Sequence, residues 1–469
     1  MTKLNRDILY LIIEQLQDDK NTLASCLLVN KTWCEIIIPT LWRNPWEYLT
    51  KEKEKILLNV IISHLSSLSR NKIGENELLM NSYQKPSFDY ISFCRYLDLN
   101  QIQGIIDNNI HDKNENLKIQ NEIYNLFINE NMKFTHLYVH DKKFDDQIHF
   151  NHGAGICFSG IEFLSCNTNM DNNILSKLTE TCRSIKKLKL FTMSNVSEEN
   201  KYGIIKLIEA QRRLFDVSLI PLDKNDTFCN KLENTLIKHA DNIQYFMIIK
   251  RPTAKILSSF VNLKRLELNN YHFDVGWDRL KDLSLPFLEV LKAIQVPFEV
   301  LTSLIKNTSG RLYDIEIDYT FFDTYEESIN EKLIQAIHQN CPKLKYLKLI
   351  LDNSSISELE KLLTRCQYLN GLYISMDRCV MFDWDDKLFE ILTKSSPNNL
   401  ISFIFNSSKL PPLESLKLFF DNWKGRKPML LQIISYEDVD PDLIEKYKAE
   451  GIIKEYNRVM MGYNADHQR

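Results

Sequence analysis

Apolar residues recur along most of this chain in one short pattern. The pattern is an apolar residue, two others, an apolar residue, one other and a third apolar residue, as in Leu344, Leu347 and Leu349. From Phe134 onward it occurs twelve times, and its middle positions are 20 to 32 residues apart. A period held over so long a stretch is typical of a repeat protein. The middle positions are 137, 164, 188, 217, 246, 266, 291, 315, 347, 372, 403 and 433.

Each copy predicts a short strand, and the stretch between two copies predicts a helix. Leu347 and Leu349 are two residues apart, so their side chains point to the same side of a strand. Residues 331–340 and 356–365 carry apolar side chains at helical spacing. One such unit buries too little apolar surface to offset the entropy of ordering its residues, so neighbouring units must stack. The predicted fold class is α/β: a solenoid with a curved parallel sheet and outer helices, joined by right-handed crossovers.

The first 46 residues, called the head below, carry a different pattern. Three apolar runs, at 4–16, 23–29 and 33–42, are separated by polar residues and predict three short helices. Asn5 can cap the first helix with its side-chain oxygen. Apolar residues cover more than one face of each predicted helix, and three such helices hold too little core to stand alone. The surplus apolar surface therefore needs either the rest of the chain or another protein.

The head resembles an F-box in the sequence Leu4-x-x-Asp7-Ile8-Leu9-x-x-Ile12-x-x-x-Leu16, in Leu27-Leu28-Val29-Asn30-Lys31-x-Trp33 and in Leu41-Trp42. F-box domains bind a Skp-type adaptor, which joins them to a cullin-based ubiquitin ligase. The resemblance implies that the head packs on such an adaptor through Leu4, Ile8, Leu9, Val29 and Trp33. Asn5 stands where the family usually has proline.

The repeats resemble leucine-rich repeats. The stretch from Cys341 to Leu349 is similar to the cysteine-containing subtype common in F-box proteins. Cys182 and Cys366 occupy the same position in their copies as Cys341 does, three residues before the first apolar residue of the pattern. Head and repeats together resemble the F-box/leucine-rich-repeat substrate receptors. The resemblance implies a substrate-recognition subunit of a Skp–cullin–F-box ubiquitin ligase, which binds an adaptor, through it a cullin scaffold, and a substrate protein on the repeats. The alternative is a leucine-rich-repeat scaffold whose head meets no ligase, and Asn5 favours it.

These patterns divide the chain into four parts. They are the F-box at 1–46, a helical connector and N-terminal cap at 47–133, the solenoid at 134–436, and a C-terminal helical cap and tail at 437–469. The connector includes one predicted helix from Glu47 to Arg70.

Composition narrows the classes of function. The net charge of −4 lacks the basic footprint that nucleic-acid binding needs, so we expect no nucleic-acid partner. Apolar runs are too short for a membrane span, and the first residues lack the pattern of a secretory signal, so we expect neither. Ten cysteines without tight pairing suit reduced thiols in the cytoplasm or nucleus. Neither GxGxxG nor GxxxxGK[ST] occurs, and we expect no cofactor and no enzymatic activity.

Histidines cluster near the first predicted strand. His136, His140, His149 and His152 lie close in sequence to Asp141, Asp145 and Asp146, so a zinc site is conceivable. No cysteine joins them at a known ligand spacing. We therefore predict no metal site, and stoichiometric zinc in the purified protein would contradict that expectation.

The other face of the predicted sheet is the candidate substrate surface. We call the three apolar residues of each copy its anchors. If the anchors point into the core, the residues between them point to the concave side of the sheet. Tyr, Met and charged side chains there are of the kinds that contribute to interfaces, and Asp314, Glu316 and Asp318 form an acidic row flanked by lysines. The predicted substrate-binding residues are Tyr138, Lys189, Met247, Lys292, Asp314, Glu316, Asp318, Lys348 and Tyr373.

Overall fold

A computed structural model of the 469-residue chain gives its architecture. The chain forms two compact units, residues 1–238 and 239–469. The structure describes residues 5–16, 19–47, 49–73, 86–140, 152–170, 172–193, 195–222, 227–271, 274–319, 327–376, 384, 386–437 and 439–460.

The head contains three helices: α1 (Arg6–Gln15), α2 (Lys20–Cys26) and α3 (Lys31–Leu41). Each begins at a capping side chain: Asn5, Asp19 and Asn30 accept hydrogen bonds from backbone N–H groups of the first turn. Their contact forms one small core, built from Leu9, Ile13, Leu23, Ile36 and Ile37.

After the head, the described part of the first unit forms helices and five parallel strands. The strands are β1 (Tyr96–Asp98), β2 (His136–Val139), β3 (Phe163–Asn167), β4 (Lys187–Thr192) and β5 (Asp216–Pro221). From β2 to β5, each strand pairs in parallel with the one before it. The α-helices after the head are Lys51–Ser63, Ser67–Ile73, Leu99–Asn109, Lys113–Phe127, His152–Phe158, Asn172–Thr181, Glu198–Glu209 and Thr227–Leu236, with short 3-10 helices at Ile91–Phe93 and Ile237–His239.

The described residues of the second unit form nine strands, again parallel and in sequence order. They are β6 (Tyr245–Ile248), β7 (Arg265–Asn269), β8 (Val290–Ile294), β9 (Asp314–Asp318), β10 (Tyr346–Leu351), β11 (Gly371–Met376), β12 (Ser402–Asn406), β13 (Met429–Ser435) and β14 (Ile453–Met460). Its α-helices are Ala254–Ser259, Phe298–Lys306, Glu327–Asn340, Ile356–Arg365, Asp386–Ser395, Leu413–Asn422 and Pro441–Ala449, and its 3-10 helices are Trp277–Leu280 and Asn353–Ser355.

Burial alternates along the strands as the repeat pattern predicts. In β9 the side chains of Ile315 and Ile317 are buried, and the acidic residues between them are part-exposed. The anchors stack in register, with Leu347 opposite Leu372 on the next strand. Cys182, Cys341 and Cys366 are fully buried among them. The α/β leucine-rich-repeat solenoid with helices ahead of it, predicted from the sequence, is therefore confirmed.

The repeat region extends beyond both predicted ends. Strand β1 lies inside the predicted connector and pairs with β2, and β14 lies inside the predicted C-terminal cap and pairs with β13. Strand β1 carries the full pattern in Cys94, Leu97 and Leu99, all buried, which the sequence analysis did not recognise. In β14 the residues opposite Leu431 and Ile433 are Tyr456 and Arg458, so the pattern is incomplete there.

Two local predictions were wrong in detail. In the last copy, Leu431 lies opposite Phe403, so Leu431 and not Ile433 is the middle anchor. The predicted helix from Glu47 to Arg70 is two helices, Lys51–Ser63 and Ser67–Ile73. Among the described residues, none of the helices combines the length and the apolar character that a bilayer crossing requires.

Candidate functional sites: the head surface and the open face of the second unit

The head does not expose all of the residues predicted to contact an adaptor. Leu9 is only 2% exposed and belongs to the core between the three helices. Trp33 is part-buried and packs against the same core. Leu9 therefore cannot pack on a partner as predicted, because its apolar surface is already used by the head. Leu4 lies outside the described residues.

Other apolar residues of the head are exposed. Ile8 and Leu11 are 46% and 62% exposed, and they lie on the side of α1 away from Leu9. Leu28 and Val29, in the turn between α2 and α3, are 89% and 57% exposed. Leu11 and Leu28 were missed by the sequence analysis, since apolar periodicity does not say which side of a small helix meets its neighbours.

Asn5 has a clear local role. Its side-chain oxygen accepts a hydrogen bond from the backbone N–H of Asp7, at 3.4 Å. The residue that replaces the family's usual proline thus begins α1 as an N-cap, as its position predicts.

The head is fixed to the first strand of its unit. The indole nitrogen of Trp46 donates to the carbonyl oxygen of Tyr96, at 2.8 Å, and its ring centroid lies 6.0 Å from that of Phe127. The backbone N–H of Arg95 donates to the carbonyl oxygen of Arg43, at 2.9 Å. A buried aromatic side chain and a backbone hydrogen bond therefore join the head to the repeat structure.

The second unit carries most of the predicted substrate residues on one face of its sheet. We call this the open face: it is the side on which the strand side chains between the buried anchors are part-exposed. The strand register places one row of side chains across it, in the order Met247, Glu267, Lys292, Glu316, Lys348, Tyr373 and Ile404.

Charges alternate along this row and are paired. Lys292 Nζ lies 2.7 Å from Glu316 Oε1, and Lys348 Nζ pairs with Asp318. Burial acts to lower the pKa of Lys348, but Asp318, Tyr373 and Glu316 together outweigh it, so the pKa is raised and the ammonium remains charged. On β7, Arg265 Nε donates to Glu267 Oε1 at 2.6 Å.

The acidic row expected from the sequence therefore has a different character. Asp314, Glu316 and Asp318 do lie side by side on β9, part-exposed. Lysines from the two neighbouring strands bind two of them, so this part of the open face is close to neutral rather than strongly acidic. The sequence showed the lysines as flanking residues, but only the register of the strands brings each ammonium onto a particular carboxylate.

Two depressions lie on the open face, with volumes of about 110 and 240 Å³. The smaller is lined by Met247, Ala293 and Ile294 together with charged residues of the row. The larger is lined by Tyr346, Gly371 and Tyr373, with Asp314, Glu316 and Lys348. Tyr346, half-exposed, is the residue here that the sequence analysis did not select.

The remaining predicted substrate residues lie on the first unit. Tyr138 is part-exposed, and its ring centroid is 5.2 Å from that of Phe163 on the next strand. Lys189 Nζ lies 5.3 Å from the ring centroid of Phe191. Both face the same side of their sheet, beside a row of aromatic rings. Whether they bind a substrate stays a prediction.

The histidines near β2 are engaged by the protein itself. His140 Nε2 lies 2.8 Å from Ser165 Oγ, and the His136 ring stacks on Tyr96 with centroids 3.8 Å apart. Burial, reinforced by the positive charge of Arg43, lowers the pKa of His136 to about 4. His149 and the nearby aspartates lie outside the described residues, and within the described part of the chain no three potential ligands come together for a metal.

Parallel strands that alternate with helices, a three-helix head and one part-exposed sheet face define this chain as an α/β repeat solenoid of the leucine-rich type. No protein-family model matches it, and no curated protein matches it. Solved structures are similar at low identity, and the three named next all have TM-scores below 0.5, so the fold assignment rests on the strands and helices described above.

The first is a leucine-rich-repeat-containing protein, LegL7 from Legionella pneumophila, at 16% identity over 62% of this chain and 88% of that one, with a TM-score of 0.36. The second is a chain of the Rad7 and Elc1 complex of yeast, at 13% identity over 88% and 96%, with a TM-score of 0.37. The third is a protein from Bacteroides fragilis, at 12% identity and a TM-score of 0.33. That alignment covers 59% of this chain and 66% of the other, just under two thirds of its length.

Proposed function

We propose that this chain is the substrate-recognition subunit of a Skp–cullin–F-box ubiquitin ligase. One observation supports this most: the head has a complete small core and still exposes Ile8, Leu11, Leu28 and Val29. The F-box resemblance of the same residues says which partner would cover them, a Skp-type adaptor that is itself bound to a cullin.

The exposed side chains can contribute substantially to such an interface. Burying a fully exposed large apolar side chain is worth about 1.5–3 kcal/mol. These four are 46% to 89% exposed and together equal about two and a half fully exposed side chains, so they contribute about 4–8 kcal/mol before the entropy lost on association is subtracted.

The proposed role is to hold a substrate protein close to the ubiquitin-transferring subunits. The open face of the second unit supplies a part-exposed surface with aromatic, apolar and charged side chains, which suits a protein partner. Two binding sites on one chain raise the local concentration of substrate lysines near the charged enzyme. The chain itself would form no covalent intermediate, and the chemistry would be performed by the other subunits.

Binding to a recombinant Skp-type adaptor tests the head. Val29→Asp and Leu11→Ser change exposed positions, so the head should still fold and adaptor recovery in a pull-down should fall at least tenfold. That loss corresponds to about 1.4 kcal/mol, which is less than one buried apolar side chain is worth. Trp33→Ala is less informative, because it also removes part of the head's own core.

Ile56→Ser is the matched control, since Ile56 is also an exposed apolar residue of the first unit but lies outside the head. It should bind the adaptor like the wild type. A wild-type chain that binds no adaptor, or head variants that bind it undiminished, would favour the alternative of a repeat scaffold that meets no ligase.

A further inference from the structure

The charged residues that line the smaller depression of the open face neutralise one another. They are Glu267, Lys292, Glu316, Asp318 and Lys348. The two lysines bind Glu316 and Asp318, and Arg265 on the same strand as Glu267 binds that third carboxylate. Three positive charges therefore balance three negative ones. The depression attracts neither a cation nor an anion, and a charged ligand would lose hydration there without gaining an ion pair.

Apolar side chains form the rest of the wall. Met247 on β6 and both Ala293 and Ile294 on β8 line the depression. Ile294 is 41% exposed, whereas the other apolar residues of β8 are buried. Covering this isoleucine would remove apolar surface from water, which favours a ligand with an uncharged aliphatic group.

The size of the depression limits that group to one side chain. Its volume is about 110 Å³, well below the roughly 300–1,000 Å³ typical of pockets for drug-sized ligands. A cavity of roughly 150 Å³ holds benzene, which has six carbon atoms, so this one suits a group of about four. The side chains of leucine and isoleucine have that size.

One polar group beside the apolar wall has no hydrogen-bond donor. Asn269, at the end of β7, lines the depression and lies opposite Ile294 in the strand register. Its Oδ1 atom is shielded from solvent and accepts no hydrogen bond from any described residue. An acceptor left in this state is unfavourable, and the terminal torsion of an asparagine turns easily. The amide can therefore turn Oδ1 toward a ligand, where a peptide N–H would satisfy it.

We propose that the smaller depression binds a leucine or isoleucine side chain of a protein segment, whose backbone N–H donates to Asn269 Oδ1. That the segment belongs to a substrate protein rests on the proposed function. The selection of a neutral aliphatic residue is a separate statement about the second unit.

Methyl NMR of the full chain, with isoleucine and methionine methyl groups labelled, tests the selection. The probe is N-acetyl-leucine methylamide, a neutral molecule that carries the side chain between two peptide groups. It should shift the methyl resonances of Ile294 and Met247 with a dissociation constant in the millimolar range, because a single small side chain supplies little affinity. The corresponding alanine and lysine probes should bind at least tenfold more weakly, a difference of about 1.4 kcal/mol or more.

Asn269→Ala tests the hydrogen bond. It should weaken the leucine probe about fivefold, which corresponds to about 1 kcal/mol. N-acetyl-N-methylleucine dimethylamide has the same side chain but no N–H group, so it should bind the wild type and Asn269→Ala equally. The urea midpoint should not fall, because the substitution removes an acceptor that has no partner. An unchanged affinity of the leucine probe for Asn269→Ala would refute the proposed role of Asn269.

Two further variants separate the apolar wall from the rest of the fold. Ile294→Ser, followed at the Met247 methyl group, should weaken the leucine probe about fivefold. Val261→Ser is the matched control: Val261 is also an exposed aliphatic residue of the second unit but does not line the depression, so binding should be unchanged.

Two results would overturn the whole proposal. The first is equal affinity for the leucine, alanine and lysine probes, or no shift of the Ile294 methyl group at tens of millimolar probe. The second is tighter binding of free leucine than of the blocked probe. Free leucine has charged termini that the neutral depression does not match, so that result would assign the site to the amino acid and not to a protein segment.

Failure of this inference and failure of the proposed function give different results. Probe binding is read from the second unit, whereas adaptor binding is read from variants of the head. A chain that binds the leucine probe but no adaptor keeps the side-chain site and loses the ligase. A chain that binds the adaptor and shows no preference for leucine keeps the ligase and loses this site.

Discussion

Trp46 joins the head to the repeats, and its removal should loosen that junction by a predictable amount. Trp46→Phe keeps an aromatic ring but loses the hydrogen bond from the indole nitrogen to Tyr96, 2.8 Å long. A hydrogen bond of this kind contributes about 1 kcal/mol net, so the open form of the junction should become about five times more populated. Trp46→Ala also removes a buried ring, at a cost of about 3–5 kcal/mol, and should raise that population more than a hundredfold.

Amide hydrogen exchange at Arg95 measures this opening directly. Its N–H donates to the carbonyl oxygen of Arg43, which belongs to the head, so it exchanges when the junction opens. Exchange should be about fivefold faster in Trp46→Phe and more than a hundredfold faster in Trp46→Ala. Leu68→Ser, at an exposed position of the same unit, should leave it unchanged.

Unaltered Arg95 exchange in a folded Trp46→Ala variant would refute this reasoning. It would mean that the head is held by other contacts and that the buried indole is incidental to its attachment. The result also bears on the proposed function, since a loosely attached head would position a bound substrate less well relative to the ligase.

Further predictions concern the helices. Burial acts to raise the pKa of Glu358, but hydrogen bonds from a lysine and from His338 outweigh it and lower that pKa. The ionised carboxylate therefore stabilises the fold above pH 4.5, and this stabilisation is lost as the pH falls through the lowered pKa. The urea midpoint of the wild type should therefore approach that of Glu358→Gln between pH 6 and 3, and a pH-independent difference would contradict this. Gly203→Ala places a Cβ 2.5 Å from a buried leucine and should destabilise the first unit by about 1–3 kcal/mol, whereas Gly104→Ala meets no atom within 4 Å and should stabilise it by about 0.5–1 kcal/mol. Equal urea midpoints for the two glycine variants would argue against the helix packing.

The two sides of the sheet were not equally predictable. Leu347 and Leu372 each lie two residues before the next anchor of the same strand. This local alternation identifies the buried side of the sheet from the sequence alone. The same alternation defines the open side, so its residues could be predicted as well. The ion pairs among them could not be predicted, because Lys348 and Asp318 are 30 residues apart and meet only through strand register.

The terminal strands illustrate the opposite limit. β1 is three residues long and β14 follows a helix that the sequence placed in a cap. In β1 the pattern is present in Cys94, Leu97 and Leu99, but it stands apart from the continuous run of copies and was overlooked. In β14 Tyr456 and Arg458 take the places of two anchors, so at that end the sheet reaches further than the repeat pattern.

The sequence by itself determined the repeat period, the buried side of almost every strand, the existence of a three-helix head and its resemblance to an F-box. All of these depend on the local spacing of residues, which fixes the direction of a side chain relative to its own backbone. Only the tertiary structure decided that Leu9 faces inward while Leu28 faces outward, that lysines neutralise the acidic row, and that Tyr346 leans over Gly371. Each of these depends on residues brought together from separate elements, and no local pattern records which partner a side chain will meet.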